Sequence, residues 1–169
     1  MLILNFILFQ IAWFACVLGA ANAMPWLGVL VTVVILIWHL YKSKNVKNEL
    51  KLLVYTLVIG AFLDQALLSF NLVNYVHHGW HQFIVPVWIL ALWLAFGTTL
   101  NMSLAWMHKR YYVSVIFGMI GGPLAYLAAE KLGAVTMTGQ LSFVVLAIGW
   151  ATITPALLYI ARRVNIVKR

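Results

Sequence analysis

The sequence predicts an all-α integral membrane protein in which six transmembrane helices form one bundle. Three observations lead to this prediction: 65% of the 169 residues are hydrophobic, only 8% are charged, and the mean hydropathy is +1.01. Soluble domains carry about a quarter charged residues, so lipid must solvate most of this surface. No hydrophilic stretch could form a second domain, and residues 1–169 are treated as a single transmembrane domain.

Six apolar segments are long enough to cross a bilayer as helices, because about 20 residues cover the hydrocarbon core. Transmembrane strands would be about half as long and would alternate in hydropathy, a pattern that this sequence lacks. In chain order, the predicted helices cover residues 2–21, 25–41, 52–73, 83–107, 111–129 and 140–161.

The first helix carries small residues at a spacing of four, namely Ala12, Cys16 and Ala20. Small residues at this spacing let helix backbones approach closely in lipid, so we predict a packing face here. The helix is followed by ANA (21–23), which looks like a signal-peptidase site. No cation precedes the apolar run, and we therefore expect an uncleaved helix.

Prolines mark the starts of the second and fourth helices. Pro25 and Pro86 lie in the first helical turn, where proline is tolerated. The third helix, between them, contains FLDQALLSF (62–70) and so places Asp64 inside an apolar run.

The fifth and sixth helices each contain an internal proline. Pro123 follows Gly121-Gly122, and Gly118 with Gly122 predicts another close packing face. Pro123 and Pro155 each remove a backbone donor and clash with the preceding turn. We expect one of two outcomes at Pro123. The helix is either kinked for packing, or it is locally broken, so that an unwound segment lines a polar cavity.

Positive charge gives the orientation of the six helices. Ten of the 11 cations lie on one side of the predicted bundle, which leaves only Lys131 on the other side. They are Lys42, Lys44, Lys47, Lys51, Lys109, Arg110, Arg162, Arg163, Lys168 and Arg169. By the positive-inside rule, both termini are predicted to be cytoplasmic, and the net charge of +8 indicates orientation rather than nucleic-acid binding.

Asp64 is the residue that most needs an explanation. It lies about 12 residues into the predicted third helix, or roughly 18 Å from its cytoplasmic end, near mid-bilayer. An ionisable residue at that depth is costly and indicates function. Without a cation at the same depth, Asp64 should be largely protonated and should face the bundle interior.

Three interpretations of Asp64 stay open: a structural hydrogen bond, a polar group that binds a ligand, or a group that exchanges a proton or cation. Its predicted partners are neutral side chains on other helices, namely Gln10, Thr98, Thr99, Asn101 and Thr152. The candidate ligand-binding set is Asp64, Gln65, Gln10, Asn71 and Asn101.

His77, His78 and His81 lie close together in the loop NYVHHGWHQ (74–82). Neutral imidazole is a good metal ligand, but the favoured interpretation is an interfacial loop anchored by aromatic side chains. We predict no metal and no cofactor. The sequence also lacks a nucleophile elbow, an HExxH motif and a phosphate-binding glycine loop, which argues against an enzyme.

The strings NFILFQIAWFACVLGAANAMPWLG (5–28), IWHLY (37–41) and FLDQALL (62–68) resemble DUF2878, a family of small bacterial inner-membrane proteins of unknown function. The resemblance implies a multi-pass protein of the bacterial inner membrane with an accessory role in fatty-acid or lipid modification, and it assigns no catalytic residue.

The favoured hypothesis is therefore a protein that binds a lipid or another lipophile. Its expected partners are membrane lipids and a lipid-modifying enzyme or a transporter, and no nucleic acid is expected. One alternative is the substrate-binding component of a small-molecule transporter, in which the face formed by Ala12, Cys16 and Ala20 would dock a partner. The other alternative is an intramembrane lipid-modifying enzyme.

Overall fold

The computed structural model describes residues 2–166, and Lys168 and Arg169 of the predicted cytoplasmic tail lie outside this range. Six helices dominate the described chain, and five of them are long and apolar enough to cross a membrane. The helices are α1 (Leu2–Ala21), α2 (Pro25–Lys42), α3 (Val46–Ser69), α4 (Val87–Gly97), α5 (Tyr111–Lys131) and α6 (Gln140–Ile166). The predicted helical class is therefore confirmed.

Two short strands form an antiparallel ribbon at one end of the bundle. Strand β1 (Val73–Tyr75) pairs with β2 (Val135–Met137), so that Tyr75 lies opposite Val135. Both strands fall in segments that connect helices, and the sequence analysis did not predict them. We call this end, with residues 73–86 and 132–139, the ribbon end. The opposite end, with residues 42–47 and 98–110, is the lysine end.

Helix α4 is the central element of the bundle, because α1, α2 and α3 all pack against it. Its residues are buried or nearly so on every side, as expected for a helix that is apolar all round. The predicted helix over 83–107 is more than twice as long as α4. The 11 residues of α4 rise about 16 Å, which is too little for the helix alone to cross a hydrocarbon core of about 30 Å.

The chain leaves the helical path after Gly97. The hydroxyls of Thr98 and Thr99 donate to the carbonyls of Ala95 and Phe96 at 2.7 and 2.6 Å. Such local bonds compete with helix continuation. Residues 98–110 then form successive turns, including a short 3-10 turn at Ala105–Met107.

Helix α3 starts six residues earlier and ends four residues earlier than the predicted 52–73. Asn45 caps it, since its side chain accepts a hydrogen bond from the Asn48 amide at 3.2 Å. Asn71 has a left-handed φ of 54° just after the last turn. Asp64 therefore lies five residues before the end of α3, about 8 Å from the ribbon end of that helix, rather than at its middle.

The predicted packing faces lie at the closest helix contacts. Ala12, Cys16 and Ala20 are fully buried, and a Cβ atom on Gly28 of α2 would approach the Cys16 Cα to 2.4 Å. A Cβ on Gly118 of α5 would lie 2.2 Å from the Trp150 carbonyl oxygen. The transporter alternative required this face of α1 to dock a partner. Because α2 covers the face, it is not free to do so.

Neither internal proline breaks its helix. Helix α5 is continuous through Pro123, and α6 is continuous through Pro155. The backbone is therefore not unwound at residues 121–123, in contrast to one of the two expectations for Pro123. The irregular backbone of this bundle follows α4 instead, where other helices enclose it.

Candidate functional site

Asp64 lies at the centre of a buried hydrogen-bonded cluster. The Tyr75 hydroxyl and the Trp93 indole N–H donate to its Oδ1 and Oδ2 atoms, both at 2.5 Å. The Tyr126 hydroxyl also donates to Oδ1. Asp64 has no exposed surface. We call these four residues the Asp64 cluster.

Four separate elements position the cluster. Asp64 comes from α3, Trp93 from α4 and Tyr126 from α5. Tyr75 comes from β1, where alternation along the strand turns Val73 and Tyr75 inward and Asn74 outward. Pairing of Tyr75 with Val135 fixes the strand, and thereby the hydroxyl, against the bundle.

Glycine and aromatic stacking fix the Trp93 ring. A Cβ atom on Gly60, one turn before Asp64 on α3, would lie 1.9 Å from the Trp93 ring. Only glycine leaves room for the indole at this position. The ring of Trp93 also stacks on that of Trp150, with centroids 4.8 Å apart and an angle of 13°. The indole N–H is thus held towards the carboxyl group.

The electrostatics of the cluster are unusual, because all three donors are neutral. Within residues 2–166, no cation lies at ion-pairing distance from Asp64. Three hydrogen bonds to a carboxylate stabilise its ionised form without a counter-ion. Burial, followed by the charge of Asp64, raises the pKa of Tyr75 well above its usual range, so this phenol keeps its proton. Protonation of Asp64 itself stays a prediction.

Beside the cluster lies an apolar cavity of about 390 Å³ between α1, α4 and α5. Nine aromatic side chains line it, namely Phe9, Trp13, Phe14, Trp88, Trp93, Phe96, Phe117, Tyr126 and Trp150. Phe14 of α1 and Leu124 of α5 are about half exposed at mid-helix, so the cavity opens sideways between these helices. We call it the lateral cavity. Trp93 and Tyr126 line it, whereas Asp64 lies behind them.

A second pocket, of about 540 Å³, lies at the ribbon end. Six of the eight residues that line it carry a polar group, namely Ser69, Asn71, Asn74, Tyr75, His78 and Gln82. We call it the end pocket. Tyr75 is common to this pocket and to the Asp64 cluster. The cluster therefore separates a polar pocket from an apolar cavity.

The five predicted ligand-binding residues do not form one site. Asp64 is in the cluster, Gln10 lines the lateral cavity and Asn71 lines the end pocket. Gln65 binds the loop before α4: its amide donates to the Phe83 carbonyl at 3.0 Å, and its oxygen accepts from the Val85 amide. Asn101 lies at the lysine end. Their role in ligand binding stays a prediction.

The partners predicted for Asp64 were wrong. None of Gln10, Thr98, Thr99, Asn101 and Thr152 bonds to it, and aromatic donors take their place. Tyrosine and tryptophan offer an apolar ring with one polar atom, which suits a buried carboxyl better than an amide does. No local pattern in the sequence pointed to Tyr75, Trp93 or Tyr126 as the donors.

A second polar cluster at the lysine end was also missed. His39 of α2 and Glu49 of α3 are both buried, with the His39 Nε2 and Glu49 Oε2 atoms 3.2 Å apart. The Asn101 amide donates to the other Glu49 oxygen at 2.9 Å. Because Glu49 was assigned to a loop, its burial was not expected. These contacts fasten the irregular segment after α4 to α3.

The clustered histidines bind backbone groups rather than one another, and His81 accepts from the Phe83 amide. His77 and His78 donate from Nδ1 to the carbonyls of Ala20 and Ile84, each at 2.8 Å. Within residues 2–166, no group of three or more His, Cys, Asp or Glu side chains could hold a metal ion. The histidines thus fold the loop over the ribbon end.

Comparison with known proteins gives one match. A family model described as "Protein of unknown function (DUF2878)" matches residues 2–156. No curated protein and no solved structure matches the chain.

Proposed function

We propose a function from the site alone, because the chain belongs to the DUF2878 family, whose description assigns none. The protein binds one lipophile, such as a single acyl or isoprenoid chain, in the lateral cavity of a multi-pass membrane bundle. The opening of that cavity between α1 and α5 is the observation on which this proposal depends.

The shape and lining of the lateral cavity favour an apolar chain. The volume of about 390 Å³ lies within the range of roughly 300–1,000 Å³ that is usual for ligand pockets. Aromatic rings surround the space, and Gln10 and Tyr126 supply neutral polar groups. Ligand sites of this kind fix orientation with a few polar atoms in an apolar wall. A lipid chain could enter from the bilayer without crossing water.

Membrane topology supports access from lipid. We propose six crossings. The fourth is made by α4 and the first turns after it, since the chain runs from the ribbon end before α4 to the lysine end after it. Two contacts with α1 support this crossing. His77, which precedes α4, bonds to Ala20 near the end of α1, and Thr98, which follows α4, accepts a bond from Asn5 near the start of α1. By the positive-inside rule, we propose that the lysine end and both termini lie on the cytoplasmic side of a bacterial inner membrane.

Membrane lipids are the proposed source of the ligand, and a lipid-modifying enzyme is the proposed partner. The resemblance to the family suggested this partnership, and the absence of a recognisable catalytic set in the sequence favours an accessory role over an enzyme. The protein would hold a lipophile for an enzyme that acts on it.

A cavity-filling variant tests the proposal. A Cβ atom on Gly121 of α5 meets no atom within 4 Å, so Gly121→Leu should fill the lateral cavity without a clash. We expect mass spectrometry of protein in mild detergent to find one enriched lipophile with the wild type. In the variant, its amount should fall by about tenfold or more, which corresponds to a loss of about 1.4 kcal/mol of binding free energy.

Ile120→Phe is the matched control. Ile120 is the neighbouring residue on α5, it is half exposed, and it does not line the cavity. The control should retain the lipophile at the wild-type amount. Equal, unselective lipid in all three preparations would refute binding in the lateral cavity.

A further inference from the structure

We propose that the Asp64 cluster conducts protons between the end pocket and the lateral cavity, with Tyr75 as its terminus on the pocket side and Tyr126 as its terminus on the cavity side. This inference rests on the proposed function for one point only, that the lateral cavity holds the molecule at which the proton arrives. The ligand class it implies is a lipophile with an oxygen or nitrogen atom that gains or loses a proton.

The connectivity of the cluster carries the inference. Tyr75 lines the end pocket and Tyr126 lines the lateral cavity, and both hydroxyls donate to the same Asp64 oxygen, Oδ1. Trp93 holds the other oxygen, Oδ2, and cannot accept a proton in exchange. The two phenols are therefore the only branches of the cluster along which a proton can move.

Proton transfer through this chain is balanced and needs no redox partner. With Asp64 ionised, a hydronium ion in the end pocket gives a proton to the Tyr75 oxygen and becomes water, while the phenol's own proton passes to the Asp64 carboxylate. The neutral carboxyl group then protonates the Tyr126 oxygen, and the original Tyr126 proton passes to the ligand. Each O–H bond that breaks is replaced, so the net change is one proton moved from pocket to ligand.

The groups around the path suit its direction. The titratable residues at the carboxyl group are Tyr75 from β1 and Tyr126 from α5, whereas α4 and α6 contribute the indoles of Trp93 and Trp150. His78 lines the end pocket with its ring centroid 6.1 Å from that of Tyr75.

Infrared spectroscopy of the full chain in lipid nanodiscs tests the path. A pH titration should show a C=O stretch of a protonated carboxyl group that disappears in Asp64→Asn. After transfer to D₂O, the exchange rate of that carboxyl group should fall by at least about 10²-fold in Tyr75→Phe. Tyr126→Phe should exchange as fast as wild type, because the route from the end pocket is intact.

Tyr126→Phe is a matched control, since both substitutions remove one hydroxyl donor from the same Asp64 oxygen. Tyr55→Phe changes an exposed tyrosine of α3 and reports on the substitution itself. Equal exchange in Tyr75→Phe and Tyr126→Phe would overturn the inference, as would a spectrum without any titrating band that depends on Asp64. The exchange of the Asp64 carboxyl group through Tyr75 is measured without a ligand, so failure of the lateral cavity as a binding site would be recognised separately.

Discussion

At the scale of the residue, Gly60 decides whether the Asp64 cluster can form. Its missing side chain leaves space for the Trp93 ring, which a Cβ atom would approach to 1.9 Å. We predict that Gly60→Ala destabilises the protein by about 1–3 kcal/mol, the usual cost of overpacking a core. Thermal unfolding in detergent measures this loss.

Gly121→Ala is the control for Gly60→Ala, because both changes add one methyl group to a helical glycine. The added atom meets nothing within 4 Å at Gly121, and alanine favours a helix over glycine by about 1 kcal/mol. Its unfolding temperature should therefore equal or exceed that of wild type. An unchanged unfolding temperature in Gly60→Ala would show that Trp93 can move away from α3.

Asp64 itself was recognisable from sequence, but its neighbourhood was not. A carboxyl group in an apolar helix is visible from one residue and its flanks. Its partners come from positions 75, 93 and 126, and no local pattern relates these positions to residue 64. The partners depend on how β1, α4 and α5 pack around α3, and this packing is a tertiary property. The fully buried state of Asp64 agrees with the prediction that it faces the interior.

At the scale of the element, the segment after α4 depends on side-chain bonds from other helices. Asn5 of α1 is buried, and its amide donates to the Thr98 carbonyl at 3.2 Å. Its oxygen accepts from both the amide and the hydroxyl of Ser103. We predict that Asn5→Ala leaves these groups unpaired, at about 1–3 kcal/mol for each buried group.

Hydrogen–deuterium exchange checks the consequence for this segment. Amides of residues 98–104 should exchange faster in Asn5→Ala, while amides near Asp64 keep their wild-type protection. Asn22→Ala is the control, since Asn22 is exposed and bonds only within its own turn, to the Leu18 carbonyl. Unchanged protection of residues 98–104 in Asn5→Ala would mean that the turns hold their own conformation.

The same segment shows where sequence patterns failed for whole elements. Residues 98–107 are apolar enough to continue a helix, and hydropathy alone cannot separate a helix from enclosed turns. The bounds of α1, α2 and α5 lie within two residues of the predicted ones, because the apolar runs end where these helices end. Helix α6 continues five residues past its predicted end at 161. The fourth segment is enclosed by protein, so lipid no longer requires its backbone to be helical.

At the scale of the whole molecule, charge and polarity divide the bundle into two unlike ends. The lysine end carries most of the described cations, and the ribbon end carries the end pocket. If the orientation proposed above is right, the end pocket faces away from the cytoplasm, so the proton path starts from the outer side. Orientation therefore determines what the Asp64 cluster can do.

Labelling of single cysteines tests this orientation. Thr136→Cys is exposed at the ribbon end, and Lys44→Cys is exposed at the lysine end. The native Cys16 is fully buried, so it should not react and can stay in place. A membrane-impermeant maleimide added to intact spheroplasts should modify Thr136→Cys at once and Lys44→Cys only after the membrane is opened. The reverse pattern would show that the ribbon end faces the cytoplasm. The cytoplasm would then be the proton source for Asp64, because Tyr75 lines the end pocket at the ribbon end.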